Sequence, residues 1–140
     1  MVETARTGLF AVLHASSVLE DRVESRLAEI GLSIAKLAAL RQLTLAGDSL
    51  PLGQLADRLR CVKSNVTQLV DRLESDGLVS RAGDPNDRRS RLAMLTDEGR
   101  AAFAQGSAIQ QDVERFLFGA LSDDETAQLE TLLAKLSRPR

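Results

Sequence analysis

The stretch whose reading decides the fold runs from residue 61 to residue 79, CVKSNVTQLVDRLESDGLV. Val66, Leu69, Val70 and Leu73 fall at i, i+3, i+4 and i+7, the spacing of one buried stripe on a helix. Gly77 suits the left-handed position just past a helix end, and Leu78 after it can pack back on Leu73. The opposite side carries Ser64, Thr67, Gln68, Asp71 and Arg72. A face with no task other than solvation is better filled with Lys, Glu and Ala, the strong helix formers. Ser64, Asn65 and Thr67 weaken a helix, yet they crowd its first turn and a half beside Gln68. Polar residues there can simply cap the helix, or they can be placed to reach something outside the protein.

The sequence around this segment is helical on both sides. Upstream, Leu9, Val12, Leu13, Ser16, Leu19, Val23, Leu27 and Ile30 form a long stripe that ends near Gly31. A second helix follows from Ser33 as N-cap, with Gly47 as its stop. Pro51 then marks the start of a short helix whose buried side is Leu52, Leu55, Ala56 and Leu59, and a tight connection leads into residues 61–79. Downstream the periodicity changes. LVSRAG and SRLAMLT read as two short strands, with DPND, preceded by Gly83, as the turn between them. Thr96 is a good N-cap for another long helix, with Asp97 and Glu98 in its first turn where the dipole favours acids. Ser122 and Glu125 form a capping box for the last helix.

Composition narrows the field. The chain has 140 residues and a net charge of −2, enough for one domain or one domain with helical extensions and without bulk basic character. One Cys and one His exclude a disulfide framework and an all-protein Cys/His zinc site, so no metal and no cofactor are expected. No phosphate loop or triad spacing suggests an enzyme. Four Phe are the whole aromatic content, which argues against a stacking platform for single strands or RNA. The lone thiol, the absence of a signal-type apolar run in MVETARTGLF and the lack of any long apolar span lead us to expect a cytoplasmic protein that does not enter membranes.

Helix, short helix, tight turn, helix and then a two-stranded hairpin is the order of a winged helix-turn-helix. The fold class expected is therefore mainly α with a small β-hairpin wing, flanked by N- and C-terminal helices. In such a fold the second helix of the turn motif enters the DNA major groove. Short or amide-bearing groups at its N-terminal end, here Ser64, Asn65, Thr67 and Gln68, reach base edges and phosphates without blocking entry. Charge is distributed to match. From Arg58 to Arg91 there are eight Lys and Arg against five Asp and Glu, a net of +3, while the remainder of the chain is −5. Lys63, Arg72 and Arg81 belong to this basic segment, the kind of charge that phosphate contact requires. The hairpin tip DPNDRRSR adds Arg88, Arg89 and Arg91 on a protruding loop, suited to the narrow, negative minor groove. Asp87 can hold the Arg89 guanidinium by a charge-assisted bond and aim it beforehand. A solvated charged turn is the plain alternative.

With these residues in view, the chain resembles the multiple antibiotic resistance regulator (MarR) family of bacterial transcription factors. The matching text is LADRL, SNVTQLVDRLESDGLVSR and DPNDRRSRLAMLTDEG. The resemblance implies a homodimer whose terminal helices intertwine, a pseudo-palindromic double-stranded operator, and relief by a small ligand or an oxidised thiol. A lipophilic or phenolic effector is the class to try, with no pocket residues assigned. By position Asp87 and Arg89 match the family's wing-tip pair, and Ser64, Thr67 and Gln68 lie where recognition-helix contacts occur. Val62 departs from the pattern, since many relatives have a Ser N-cap there. The expected partition is a dimerisation helix at 1–32, the winged domain at 33–99 (recognition helix about 62–76, wing about 78–95) and C-terminal dimerisation helices at 100–140.

The dimer has support outside the resemblance. Apolar stripes are rich at both chain ends, in Leu9, Leu13, Leu19 and Val23 and in Leu129, Leu132, Leu133 and Leu136, although a winged domain of roughly 60 to 70 residues needs neither and a two-fold protein suits two half-sites. Folding back to complete one core is the alternative. A protein-interaction winged helix that binds no DNA would instead call for an apolar or acidic face on residues 62–75 and a blunt wing. Cys61, in the turn before the recognition helix, admits two readings. Arg60, Lys63 and a helix N-terminus would lower its pKa, as in a redox sensor. The preferred reading is a small apolar residue packed between the two helices, since no second Cys is present to resolve an oxidised thiol.

Overall fold

The computed structural model describes residues 8–60 and 65–138. Their order is α1 (Gly8–Ala28), α2 (Ile34–Leu45), β1 (Ser49–Pro51), α3 (Leu52–Arg58), α4 (Val66–Ser75), β2 (Val79–Asp84), β3 (Asp87–Leu95), α5 (Asp97–Phe118) and α6 (Asp123–Leu136). The chain divides into two compact units, residues 1–109 and 110–140.

Helix boundaries follow the capping residues. Ser33 Oγ accepts the Lys36 amide at 3.1 Å and starts α2. The predicted end of α4 forms in full: the Leu78 amide donates to the Leu73 carbonyl at 2.9 Å, and the Gly77 amide to that of Glu74 at 3.0 Å. Gly77 takes a φ of 77°, which a side chain would resist. Thr96 Oγ1 accepts the Gly99 amide at 3.0 Å to start α5, and donates to the Gly77 carbonyl at 2.7 Å. One hydroxyl thus joins the end of α4 to the start of α5. In the second unit, Ser122 and Glu125 form the expected capping box of α6.

The sheet has three antiparallel strands in the order β1-β3-β2, one more than the hairpin expected from the sequence. Ser49, Leu50 and Pro51 pair with Met94, Ala93 and Leu92. A three-residue strand is too short for an alternating pattern. Its Pro is tolerated because β1 lies on the edge. The tip is also tighter than expected. β3 begins at Asp87, so that Asp84 pairs with Asp87 around Pro85 and Asn86, and the next pair is Gly83 with Arg91. Arg88, Arg89 and Ser90 therefore have no residue opposite them, a bulge that frees the tip of the wing.

The core of the first unit is assembled from every element between α1 and β3. Leu27, Leu40, Leu43, Leu55, Val70 and Leu73 are fully buried in it. Leu27 corrects the sequence reading, which ran one continuous stripe along α1. That stripe changes role along its length: Leu27 is core, Val23 packs partly buried against it, Leu19 is half-buried, and Leu9 and Leu13 are exposed. The reason is reach, since only the last turns of α1 lie against α2 and the core. In the second unit Leu132, Leu133 and Leu136 are exposed on α6, and Leu129 is half-buried. Phe116, near the end of α5, is 73% exposed.

Gly99 shows how tightly the start of α5 is seated. Helix propensity alone favours Ala over Gly by about 1 kcal/mol. Here an added methyl would lie 2.1 Å from the Leu78 carbonyl oxygen and 2.8 Å from Leu95 Cδ1. The Leu78 carbonyl is fixed backbone that also accepts the Thr96 amide at 3.1 Å. We therefore expect Gly99→Ala to destabilise the fold by roughly 1–3 kcal/mol, the usual range for overpacking. The urea midpoint at unchanged m-value measures it. A higher midpoint would show that propensity wins and that the contact yields freely.

Candidate nucleic-acid interface

The α4 helix presents two unlike sides. Leu69, Val70 and Leu73 are buried, while Thr67, Gln68, Asp71 and Arg72 are exposed. The described helix begins at Val66 with Asn65 as its cap, whose Oδ1 accepts the Gln68 amide at 3.3 Å; the expected start near 62 lies outside the described residues. Asn65 was expected to reach DNA, and its carbonyl oxygen has a local use as well. Cys61, Val62, Lys63 and Ser64 lie outside the described residues.

Two ion pairs hold α4 in place. At its C-terminal end, Lys36 Nζ of α2 meets Asp76 Oδ2 at 2.7 Å and also donates to the Gly31 carbonyl at 3.3 Å. On its exposed side, Arg81 of β2 donates from Nη2 to the Thr67 carbonyl at 3.3 Å and to the Asp71 carboxylate. Arg81 was expected among the phosphate contacts, but its guanidinium is turned onto α4. Neither pair was read from the sequence. The available signal was an acid, Asp71, on a face otherwise suited to a polyanion, with an Arg at the start of the following strand.

The wing carries its cations outward. Arg88, Arg89 and Arg91 are exposed around the bulge. Asp87 was expected to hold the Arg89 guanidinium, but the hydrogen bond it makes is to the main chain: its Oδ1 accepts the Arg89 amide at 2.9 Å. Asp84 Oδ1 does the same for the Asn86 amide at 2.9 Å. These two carboxylates shape the turn, and no ion pair joins Asp87 to the Arg89 guanidinium among the described residues. At the base of the wing, Arg100 of α5 donates from Nη2 and Nε to Asp48 Oδ2 at 2.6 and 3.1 Å, and from Nη1 to Asp97 at 2.5 Å. The hydrogen bond and charge of Asp48, then of Asp97, raise the Arg100 guanidinium above its ordinary pKa. Asp48 itself has a φ of 82°, in the left-handed region that Asp tolerates better than most residues.

Among the described residues no three His, Cys, Asp or Glu side chains are grouped to hold a metal ion, and no helix is long and apolar enough to cross a membrane. What the surface offers is an amide- and hydroxyl-bearing helix face and a tip rich in Arg. With the three-stranded sheet behind it, α3–α4 defines a winged helix-turn-helix.

Comparison with known proteins agrees. The MarR family model matches residues 32–90. The chain is 37% identical over 107 residues to the uncharacterized HTH-type transcriptional regulator YkoM of Bacillus subtilis, covering 76% of this chain and 69% of that one. It is 32% identical over 108 residues to the HTH-type transcriptional repressor MdtR of the same organism, covering 77% and 69%. A crystal structure of a mutant MarR from E. coli complexed with operator DNA superposes with a TM-score of 0.80 at 27% identity, covering 94% of each chain. The chain belongs to the MarR family: it is a DNA-binding transcriptional regulator and not an enzyme.

Proposed function

We propose that this regulator is a repressor that binds a pseudo-palindromic operator as a homodimer, with α4 in the major groove and the wing tip in the minor groove. A small lipophilic or phenolic effector relieves repression. The observation that carries the reading is the pairing of two exposed surfaces in one unit: Thr67, Gln68 and Arg72 on α4, and Arg88, Arg89 and Arg91 at the wing bulge. Thr67 and Gln68 suit base edges, and Gln can bond adenine in bidentate fashion. The Arg side chains suit phosphate and a narrow minor groove. MdtR, named as a repressor, supports the direction of control.

The homodimer rests on the apolar residues that each unit leaves uncovered, Leu9 and Leu13 in one and Leu132, Leu133 and Leu136 in the other. Large apolar residues left exposed together mark an association surface, and a two-fold dimer places its recognition helices on half-sites about one helical turn apart. Residues 1–32 and 100–140 are then the dimerisation elements around a DNA-binding domain at 33–99. A thiol switch at Cys61 is the second reading of how DNA is released.

Binding to the duplex upstream of the chain's own gene, with and without phenolic compounds and peroxide, tests the proposal. In that assay Gln68→Ala should flatten sequence preference at one or two operator positions. Arg72→Ala should weaken binding to all sequences and reduce the salt slope by about one unit. A Gln68→Ala protein with the parent's full preference would return that residue to capping and solvation. Release by peroxide, abolished in Cys61→Val, would make the thiol the switch.

A further inference from the structure

Among the described cations of the basic segment, Arg81 is one whose side chain is turned onto the protein itself. It lies on β2, paired with Ala93 on β3, at the root of the wing. Its side chain is 20% exposed, and its Nη2 is shared between the Thr67 carbonyl and the Asp71 carboxylate. Its Nε is buried and has no hydrogen-bond partner. Thr67 and Asp71 are one turn apart on α4, so a single guanidinium grips the main chain and a side chain of the same helix face. An Arg free to meet phosphate would keep its donors in solvent. This one is largely withdrawn from water and leaves one donor unsatisfied, which is unfavourable by itself.

We propose that Arg81 is a positioning residue that locks the recognition helix to the root of the wing. It thereby sets the spacing between the element that enters the major groove and the one that enters the minor groove. The same contact neutralises Asp71, whose carboxylate would otherwise face the polyanion from the middle of the reading surface. The pair contributes no net charge to DNA affinity, and its effect is geometric. Both bonds leave the Nη2 nitrogen of a rigid planar group, whose fixed direction a flexible ammonium stem does not reproduce. The proposal rests on the DNA-binding role of α4 and the wing described above.

The decisive feature is the sign of one substitution. Were Arg81 a phosphate contact, Asp71→Ala would remove a repelling carboxylate, free the guanidinium and tighten binding. If Arg81 positions the helix, Asp71→Ala weakens binding although a negative charge has been removed. The probe is a duplex enriched from a random-sequence pool by the full-length parent chain, and the readouts are affinity over a range of salt and a hydroxyl-radical footprint. Asp71→Ala, Arg81→Ala and Arg81→Lys should each weaken binding about tenfold, and the Asp71→Ala/Arg81→Ala double variant should be no weaker than either single, as for residues that act as one unit. The salt slope should stay at the parent's value, and protection at the wing should fade before protection at the recognition helix. That separation is not produced by a mere loss of stability. Should Arg81→Ala fail to fold, Arg81→Lys and Asp71→Asn provide the same comparison. Tighter or unchanged binding by Asp71→Ala would overturn the proposal. So would a salt slope lowered by about one unit in Arg81→Ala with normal binding by Arg81→Lys. Failure of the parent to enrich any duplex would instead count against DNA binding by these surfaces, and this inference would fall with it.

Discussion

Replacing Leu73 by Ala should destabilise the protein by roughly 2–5 kcal/mol, the range for a buried Leu whose site cannot collapse. Leu73 is fully buried, and its surroundings leave little room for relaxation. Its carbonyl accepts the Leu78 amide at 2.9 Å in the turn that ends α4, so the backbone on its C-terminal side is held. Farther along the same end, Lys36 fixes Asp76 to α2. Leu69 and Val70 on the same helix side are also buried and already packed in the core. The cavity should therefore persist. Denaturant unfolding at one protein concentration measures the loss, because the apparent stability of a self-associating protein depends on concentration. A loss below about 1 kcal/mol would show that this end of α4 repacks freely, contrary to the tight core and capping described.

Arg89→Ala should weaken operator binding by roughly 1–3 kcal/mol, a typical loss for one specific Arg contact, and leave folding untouched. Arg89 is exposed at a bulge where it has no cross-strand neighbour, so truncation removes nothing from the core. Asp87→Ala should have a smaller effect in the same direction. The hydrogen bond actually made refines this expectation. Asp87 accepts the main-chain amide of Arg89 at 2.9 Å, a task that a neutral carbonyl oxygen can also perform. Asp87→Asn should therefore bind close to the parent, whereas a role in aiming the guanidinium through charge would require the carboxylate. Titration of a labelled operator at moderate salt distinguishes the cases. Unchanged affinity in a folded Arg89→Ala protein would remove the minor-groove role, and a loss in Asp87→Asn equal to that in Asp87→Ala would restore the electrostatic one.

Much of this molecule is written locally. Ser33, Thr96 and Ser122 declare helix starts through hydrogen bonds to amides at most three residues away. Gly77 declares an end through its own backbone conformation. The apolar spacing of Val66, Leu69, Val70 and Leu73 selects the buried side of α4 without reference to any partner. Such signals operate within a turn or two of helix, so sequence alone determined the helix order, the wing hairpin, the exposed polar face of α4 and the Arg-rich tip. Other features depend on residues brought together from afar. β1 exists because β3 lies beside it, and three residues ending in Pro carry no pattern of their own. Leu27 and Leu13 share one sequence stripe, yet only the first lies against the core. Arg81 and Arg89 look alike in a charge count. One is drawn onto α4 by a carboxylate ten residues away, while the other is left in solvent by a bulge. The sequence specified which residues are charged or apolar. Only the tertiary fold decided which of them are still free to act, because that depends on the nearest partner in space rather than in the chain.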